Sequence, residues 1–382
     1  GRAALAQDGS ALASNPAAMA ALEGSTVSIA AMPLQLDYEF RGLAASSPAH
    51  ATNHEDVSVI PAAYAVRRAG GVSYGAAIYS PLGLGFDSGP QWAGRRVIEQ
   101  ARLGSLNVMA AAAWPVTDKL SFGGSAGGQW LRPQARIAVA SDAIFYGPPA
   151  GWPDGEVTLD GDSWGFAAQL GATYALSDQW RVGMTWTAPV DHAVAFDVHG
   201  KGLHPTLALV LPASGSVRLD ATVPQQVLVG LARESKGTTW ALGAVWQDWS
   251  QFGAASLSMP GYAAPMFAAG LRDTWGASAG VRHDFGDGWT ASTGVSYESN
   301  PATAAGIPAY FPVAEQWRIA AGVERSLGDA LRLRAAASIV LQGDAVVVQD
   351  VHPLPLPGIP PLHGEYRDTQ VALLALGADF RL

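Results

Sequence analysis

Large apolar residues alternate with small or polar residues in several separate segments of the chain. In residues 240–247 the sequence WALGAVWQ places large apolar side chains at 240, 242 and 246, with mostly small or polar residues at the odd positions. The pattern recurs in 180–187, 317–324 and 331–342. Neighbouring residues of a strand point to opposite faces, so each segment has one apolar and one polar face. The alternation predicts amphipathic β-strands, and by itself it also fits a soluble β-sandwich.

Charged residues are scarce, yet the apolar residues do not form helical membrane spans. The chain is 49% hydrophobic and 14% charged, whereas soluble domains carry roughly 25% charged residues. The longest uncharged stretch, residues 249–271, is long enough for a transmembrane helix, which needs about 20 residues. It contains Pro260, Gly261 and Pro265, however, and such residues break a helix. The apolar content is therefore expected in strands.

The connections between the predicted strands alternate in length along the whole chain of 382 residues. Six short turns lie near residues 67–70, 117–119, 177–179, 235–237, 286–288 and 328–329. Seven longer segments, many of them rich in proline and glycine, occupy residues 41–56, 83–100, 139–163, 191–222, 250–270, 299–314 and 343–369. Short turns on one side and long loops on the other are typical of an up-and-down outer-membrane barrel. The predicted fold class is all-β, a 14-stranded antiparallel transmembrane β-barrel.

Tryptophans lie at the ends of the predicted strands. Trp180, Trp240 and Trp289 follow short turns, and Trp275 and Trp317 follow long segments. Two such levels suit the two interfacial aromatic girdles of a membrane barrel, where the rings lie among the lipid headgroups. The placement favours a membrane barrel over the soluble sandwich.

The last predicted strand is also amphipathic. Leu374, Leu376 and Phe380 share one face, Asp379 lies on the other, and the chain ends in Leu382. A final strand of this kind resembles the assembly signal of bacterial outer-membrane barrels, although the commonest form ends in phenylalanine itself. The resemblance implies the barrel assembly machinery as a partner during insertion. With the short turns in the periplasm, the first strand, about residues 25–40, ascends.

Composition excludes several functions. The net charge of -9 argues against a nucleic-acid partner, because phosphates demand a basic surface. The absence of cysteine excludes a disulfide framework and thiolate metal sites. The first residues lack a charged region followed by an apolar stretch, so no secretory signal is recognised in this chain. Neither a cofactor nor a metal is expected.

A fourteen-stranded barrel is too wide for a few side chains to fill, so a plug or an open channel is expected. The segment before the first strand is the available plug. Short motifs in this segment and along the chain carry a family resemblance: Gly1-Arg2-Ala3, Asp8-Gly9-Ser10-Ala11, Asn15-Pro16-Ala17-Ala18-Met19, Tyr79-Ser80-Pro81-Leu82-Gly83-Leu84, Gln247-Asp248-Trp249-Ser250 and Gly294-Val295-Ser296-Tyr297-Glu298-Ser299-Asn300-Pro301. The chain resembles the FadL family of outer-membrane long-chain fatty-acid transporters, which includes the TodX-type aromatic-hydrocarbon channels.

The resemblance implies a division into an N-terminal hatch, residues 1–24, and a barrel, residues 25–382. It further implies that extracellular loops capture a hydrophobic ligand, which passes to a pocket near the hatch and leaves sideways at a kink in the third strand. The residues implied in the hatch and gate are Asn15, Pro16, Ala17, Ser80, Pro81 and Gly83. Those implied in ligand binding are Met19, Leu22, Phe86, Trp92 and Arg132.

Two of these motifs have ordinary structural readings as well. Proline cannot donate to the sheet and glycine tolerates bends, so Pro81 and Gly83 favour a kink; Pro81 would also simply end a strand. Asn15 suits a helix cap and Pro16 a first helical turn. The resemblance adds that residues 15–17 face the kinked third strand.

The ligand is less well determined. A fatty acid would need a cation near its carboxylate, and Arg132 is one candidate, although the alternation counted from Leu120 places it on the lipid face. A β-bulge at Gly127-Gly128 would turn it inward; otherwise it is a surface arginine. Four further arginines have lumen parity: Arg181, Arg318, Arg332 and Arg334. Polar lumens are general in such barrels, so these do not identify a carboxylate.

Other functions remain as alternatives. A polar-solute porin would have an open lumen without a plug. An outer-membrane hydrolase would need a nucleophile beside a histidine, whereas His192 and six other histidines fall in predicted outer loops and His283 lies near a periplasmic turn. His50 and His54 have a spacing that could bind a metal, but a polar loop cluster is the simpler reading. The sequence therefore predicts a monomeric bacterial outer-membrane channel that contacts outer-membrane lipid and lipopolysaccharide and takes up hydrophobic small molecules.

Overall fold

The structure of the protein is a computed structural model, and it describes residues 2–44, 46–140, 153–210, 212–355 and 358–382. In chain order the strands are β1 (Ser25–Ala44), β2 (Ser47–Thr52), β3 (Ser58–Ala69), β4 (Val72–Tyr79), β5 (Gly83–Asp87), β6 (Gln100–Pro115), β7 (Leu120–Val139), β8 (Gly155–Asp160), β9 (Ser163–Ala175), β10 (Trp180–Thr187), β11 (Val190–Lys201), β12 (Val217–Val223), β13 (Gln226–Ser235), β14 (Thr238–Gln247), β15 (Ser256–Met259), β16 (Tyr262–Pro265), β17 (Thr274–Gly286), β18 (Trp289–Glu298), β19 (Gln316–Leu327), β20 (Leu331–Gln342), β21 (Ala345–Gln349) and β22 (Leu362–Arg381).

Helices are few and short. They are α1 (Ala11–Ser14), α2 (Pro205–Val210), α3 (Trp249–Phe252) and two 3₁₀ helices, Arg2–Ala4 and Pro16–Ala21. Among the described residues, none of these helices has the length and apolar character needed to cross a membrane.

Antiparallel pairing closes the sheet into a barrel. The wall runs through β1, β3, β4, β6, β7, β9, β10, β13, β14, β17, β18, β19, β20 and β22, and β22 returns to pair with β1. The predicted fourteen-stranded barrel is confirmed. Closure leaves no free sheet edge at the seam, which is why such a sheet can stand in lipid.

The alternation of short and long connections is also present. All six predicted short turns separate consecutive wall strands. The long connections are more ordered than the sequence suggests, because β2, β8, β11, β12, β15, β16 and β21 lie within them. Wall strands extend into them too: β22 begins at Leu362, inside the predicted loop 343–369. Hairpins satisfy backbone N–H and C=O groups that a bare loop would leave to water.

The two faces of the wall differ as predicted. The five girdle tryptophans all point outward, with exposures from 39% for Trp180 to 65% for Trp275. On the last strand, Phe380 is 39% exposed whereas Asp379 is 2% exposed. The outer face is thus an apolar surface with aromatic rings near the strand ends, and the inner face carries the polar side chains.

The two larger apolar clusters of the described residues lie inside the barrel. The upper cluster, on the side of the long connections, is built around aromatic residues such as Phe40, Phe86, Trp92, Phe311 and Tyr366. The lower cluster, nearer the short turns, combines residues of the N-terminal segment with wall residues: Leu12, Met19, Ala20, Val66, Ala77, Tyr79, Met109, Ala111, Ala113, Ala167 and Val190.

Candidate functional site

The N-terminal segment, residues 2–24, lies inside the lower part of the barrel. Asn15 caps the 3₁₀ helix Pro16–Ala21, because its Oδ1 accepts a hydrogen bond from the Ala17 N–H at 3.0 Å. Its Nδ2 donates to the Ala3 carbonyl at 2.6 Å and to the Ala172 carbonyl of β9 at 3.1 Å. Asn15 is fully buried, so one carboxamide both starts the helix and anchors it to the wall.

Glycines on the inner face of the wall let this segment approach closely. A Cβ atom on Gly171 would lie 2.0 Å from Asn15 Oδ1, and one on Gly123 would lie 2.4 Å from the Ala17 nitrogen. A Cβ on Gly183 of β10 would clash in the same way with the backbone of the helix Arg2–Ala4. The sequence analysis did not identify these glycines. They occupy inward-facing positions of the wall strands that contact the N-terminal segment.

An ion-pair network holds the other side of the segment. Asp8 Oδ2 accepts a hydrogen bond from Arg334 Nη1 of β20 at 2.8 Å. Arg334 and Arg332 both bind Asp379 of β22 at 3.0 Å, and Arg332 also donates to the Gln7 carbonyl. Asp379 is 2% exposed. Two of the arginines with lumen parity therefore bind protein carboxylates.

The third strand of the wall is interrupted. β4 ends at Tyr79, three residues follow without strand structure, and β5 resumes at Gly83. Both pieces pair with β6: Tyr79 lies opposite Asn107, and Gly83 lies opposite Gly104. From one pair to the next, the third strand advances by four residues while β6 advances by three. The extra residue forms a β-bulge, so the side chains that point into the lumen have the opposite parity after it. The alternative that Pro81 ends the strand is wrong, because the strand continues after it.

A serine side chain completes the broken ladder. Ser105 of β6 accepts a hydrogen bond from the Leu82 N–H at 3.0 Å and donates one to the Leu82 carbonyl. Ser80 also donates to this carbonyl, at 3.2 Å. The hydroxyl of Ser105 thereby replaces the backbone partners that Leu82 would have in a regular sheet. Ser105 is 6% exposed and was not among the residues predicted from sequence.

A gap separates the third strand from β3. Pairing of β3 with β4 ends at Ala63 opposite Ile78. Beyond this point residues 58–62 of β3 pair with β1, and β5 pairs with β6, in the described part of the wall. Contact is restored above, where the His54 N–H donates to the Asp87 carbonyl at 2.7 Å. We call this unpaired stretch, between residues 56–62 and 79–84, the side gap; above it Glu55 binds Arg102 of β6 at 2.7 Å.

The predicted gate residues fall in two places. Ser80, Pro81 and Gly83 line the side gap. Residues 15–17 do not face it: they lie against β7 and β9, as the close approaches at Gly123 and Gly171 show. The expectation that they face the third strand is therefore wrong, because Asn15 is held by a carbonyl of β9. The segment meets the third strand through Leu12 and Met19, whose side chains lie over Gly75 of β4.

The predicted ligand-binding residues also separate. Met19 belongs to the lower cluster, and Leu22 packs against it. Phe86 and Trp92 belong to the upper cluster. The Trp92 ring packs edge to face on Phe40 with ring centroids 5.6 Å apart, and its Nε1 donates to the Ile98 carbonyl at 2.9 Å. The structure thus brings together two pairs rather than one pocket of four residues.

Arg132 lies on the outer face of the wall. β6 and β7 pair in unbroken register through Gly127 and Gly128, so the bulge that would turn it inward is absent there. Its guanidinium binds Asp160 at 2.7 Å, and 45% of the arginine side chain is exposed. The prediction that Arg132 contacts the ligand in the lumen is therefore corrected: Arg132 is a surface arginine, as the alternation along the strand indicates.

One histidine differs from its predicted location. His192 lies in the connection between β10 and β13, but β11 folds this part of the chain inward against Gly165 of β9. His192 is 3% exposed. His50 is bound to Glu39 at 2.8 Å. The described residues contain no group of three or more metal-ligating side chains.

The loop between β20 and β22 packs on the upper cluster through His352. Its Nε2 donates to the Val97 carbonyl at 2.9 Å, and its Nδ1 accepts a hydrogen bond from the Leu354 N–H at 3.1 Å. Burial lowers the pKa of His352 to about 4. The imidazole is therefore neutral at pH 7, and its Nε2 joins this loop to the connection between β5 and β6 that contains Val97.

A closed barrel with an apolar outer face, an occupied lower lumen and a side gap defines an outer-membrane transport channel. The chain belongs to the outer membrane protein transport family OMPP1/FadL/TodX, whose sequence profile matches residues 1–381. This family consists of transport proteins, and the chain is accordingly a channel of the bacterial outer membrane and not the hydrolase considered above.

Curated relatives and solved structures agree with this assignment. The long-chain fatty acid transport proteins of Shigella flexneri and Escherichia coli (strain K12) are each 23% identical to the chain over 358 residues, covering 84% of this chain and 79% of theirs. A FadL homologue of Pseudomonas aeruginosa superposes with a TM-score of 0.85 at 17% identity, over 99% of this chain and 95% of its own. The toluene transporter TodX of Pseudomonas putida gives a TM-score of 0.71 at 19% identity, over 100% and 97% of the two chains.

Proposed function

We propose that this channel takes up hydrophobic small molecules by lateral diffusion through the side gap. The observation that carries the proposal is the missing pairing between β3 and the third strand, above Ala63 and Ile78. A wall strand whose neighbour is absent leaves a path from the lumen to the lipid-facing surface. Val57 and Val59, on the outer face at this point, are 57% and 61% exposed, so a molecule leaving here meets apolar surface.

The N-terminal segment acts as a hatch in this proposal, with residues 1–24 as the hatch and 25–382 as the barrel. It fills the lower lumen, and residues 15–17 fix it to β7 and β9 through the contacts at Gly123 and Gly171. A ligand that moves down the lumen meets the hatch and is directed to the side gap. Ser80, Pro81 and Gly83 form the gate, and the hatch supplies the floor.

Lateral exit is favoured by the hydrophobic effect. Burying a methylene is worth roughly 0.8 kcal/mol, so a ligand released into the periplasm would lose that energy for each group exposed to water. Phe86 and Trp92 in the upper cluster would contact the ligand first, and Met19 and Leu22 near the lower cluster would contact it before exit. The relatives are named for long-chain fatty acids and for toluene, and both kinds of molecule suit this apolar path.

The other partners follow from the surface. The outward aromatic residues would contact membrane lipid, with lipopolysaccharide in the outer leaflet. The exposed Phe380 and Leu382 of the last strand suit recognition by the barrel assembly machinery. We propose that the channel works as a monomer, since each barrel carries its own side gap.

A substitution at Gly83 tests the proposal. A Cβ atom at this position would meet no atom closer than 3.9 Å, so a side chain there is compatible with the fold. Gly83→Trp is expected to reduce uptake of a labelled long-chain fatty acid or of toluene at least tenfold in cells that lack other channels of this family. Ala277→Trp, on the outer face of β17 in the opposite wall, is the matched control and should retain uptake.

Both variants must be shown to fold, by the heat-dependent shift in electrophoretic mobility of folded barrels. Normal uptake by a folded Gly83→Trp protein would overturn the lateral route. Equal losses in the two variants would also count against it, because the bulk of a tryptophan on the outer face would then be sufficient.

A further inference from the structure

A chain of buried polar side chains runs along the inner face of the wall, over the neighbouring strands β9, β7, β6 and β4, and ends at the side gap. Ser163 Oγ lies 2.8 Å from His192 Nδ1, and His192 Nε2 lies 3.1 Å from Gln129 Oε1. Gln129 Nε2 donates to Asn107 Oδ1 at 2.8 Å, and Asn107 Nδ2 donates to the Tyr79 hydroxyl at 3.3 Å. His192, Gln129, Asn107 and Tyr79 are between 3% and 7% exposed.

The chemistry of these groups gives the chain one direction. An amide oxygen only accepts hydrogen bonds, so Gln129 Oε1 requires the hydrogen of His192 to be on Nε2. The Nδ1 of the neutral imidazole then accepts from the Ser163 hydroxyl. At the other end the amide nitrogen of Asn107 donates to Tyr79. Every donor therefore points toward Tyr79, whose oxygen is the final acceptor.

This direction leaves the hydroxyl hydrogen of Tyr79 unused. A phenol both accepts and donates, but no acceptor for the Tyr79 hydrogen occurs among the described residues. A buried donor without a partner is unfavourable, because it has lost its water and gained nothing in return. The Tyr79 ring is also held by stacking on Tyr64, with centroids 6.0 Å apart and an angle of 24° between the ring planes.

The position of this donor coincides with the exit. Tyr79 is the last residue of β4, its side chain points into the lumen, and the interruption of the third strand begins at the next residue. It is also part of the lower cluster with Met19 and Met109. A ligand that approaches the side gap therefore finds apolar side chains and the free O–H group of Tyr79.

We propose that Tyr79 is a specificity-determining residue whose hydroxyl donates a hydrogen bond to an acceptor oxygen of the ligand at the side gap. The preferred ligands are then apolar molecules that carry an ether, carbonyl, ester or carboxylate oxygen, in preference to hydrocarbons of the same size. This inference rests on the proposed lateral route and adds the chemical class of the ligand.

The test is a competition between two ligands that differ in oxygen content. Cells that express the full chain and lack other channels of this family receive equal amounts of decane and methyl nonanoate, and the uptake of each is measured by gas chromatography after subtraction of cells without the channel. The unmodified protein is expected to favour the ester. Tyr79→Phe should lower the ratio of ester to alkane uptake roughly fivefold, as expected for one hydrogen bond.

Tyr64→Phe is the matched control, because it removes a hydroxyl from the ring stacked on Tyr79 but outside the polar chain. Its ratio should match that of the unmodified protein. An unchanged ratio in folded Tyr79→Phe, or equal losses in both variants, would overturn the role of Tyr79 while leaving lateral uptake intact. Failure of the unmodified protein to take up either ligand would instead contradict the proposed function itself.

Discussion

The hydroxyl of Ser105 in β6 binds both the N–H and the carbonyl of Leu82, the residue at which the third strand of the barrel is interrupted. A side chain here takes the place of a backbone partner. The wall can thus be interrupted on one side, toward β3, without leaving the backbone of the kink unsatisfied on the other. An opening in a membrane barrel requires such a solution, since lipid offers no hydrogen bonds.

Removal of this hydroxyl should weaken the kink. Ser105→Ala leaves the Leu82 N–H without its partner, and an unsatisfied buried donor costs about 1–3 kcal/mol. We expect a lower free energy of unfolding in urea in the presence of lipid vesicles, and faster hydrogen exchange at Leu82. Ser296→Ala, on the inner face of β18, is the control and should change neither quantity. Unchanged exchange at Leu82 in Ser105→Ala would contradict this role of Ser105, because Ser80 binds only the Leu82 carbonyl.

The ion pair between Asp8 and Arg334 should hold the N-terminal segment in the lumen. The Asp8 side chain is 7% exposed, and removal of one partner from a buried ion pair costs about 3–5 kcal/mol. Asp8→Ala is expected to release the segment part of the time, so ion conductance in planar bilayers should rise and become irregular. Arg41→Ala breaks an exposed pair with Glu39 and should leave the conductance at its original level. An unchanged conductance in Asp8→Ala would show that the close contacts at the wall glycines hold the segment without this ion pair.

A disulfide can test whether the segment must move during transport. A Cβ atom on Gly9 would lie 3.5 Å from the Ser28 Cβ of β1, within the range of about 3.5–4.5 Å found in disulfides, and the chain has no other cysteine. The exit lies in the wall, so the Gly9→Cys, Ser28→Cys double variant should transport equally well when oxidised and when reduced.

The Gly9→Cys single variant is the control for that experiment, because its new Cβ would also crowd Tyr64 at 2.9 Å. A reversible loss of uptake on oxidation, in the double variant alone, would show that the segment moves.

Acid should loosen the loop that His352 holds. The pKa of this histidine is lowered to about 4 by burial, below the value of about 6.5 for an unperturbed histidine. The unfolded loop therefore binds more protons than the docked loop, and docking is destabilised as the pH falls from about 6.5 through about 4. Proteolysis of the loop between β20 and β22 should be faster at pH 4.5 than at pH 7.5. His352→Gln has no titrating group at this position, so its proteolysis should not depend on pH in this way. If the pH dependence persists in His352→Gln, another residue causes it.

The wall of the barrel was largely predictable. Strand alternation, six short turns and the tryptophan positions led to fourteen strands because each depends on local periodicity and on residues close in sequence. The interruption near Pro81 was predictable for the same reason, since proline and glycine act on their own strand. Arg132 illustrates how well strand alternation predicts orientation: its parity indicated the outer face of the wall, and it lies there.

Contacts between side chains on the inner face of the barrel were not predictable. Asn15 lies against β9 and not against the third strand, because its carboxamide is satisfied by the carbonyl of Ala172, a residue distant in sequence. His192, Gln129, Asn107 and Tyr79 come from four strands, and only the inward fold of β11 brings the histidine to the wall. The period of the sequence determined which face of each strand is apolar, and the alternating short and long connections determined how many strands there are. Closure of the sheet decided which strands face each other, because register and curvature depend on all fourteen strands together.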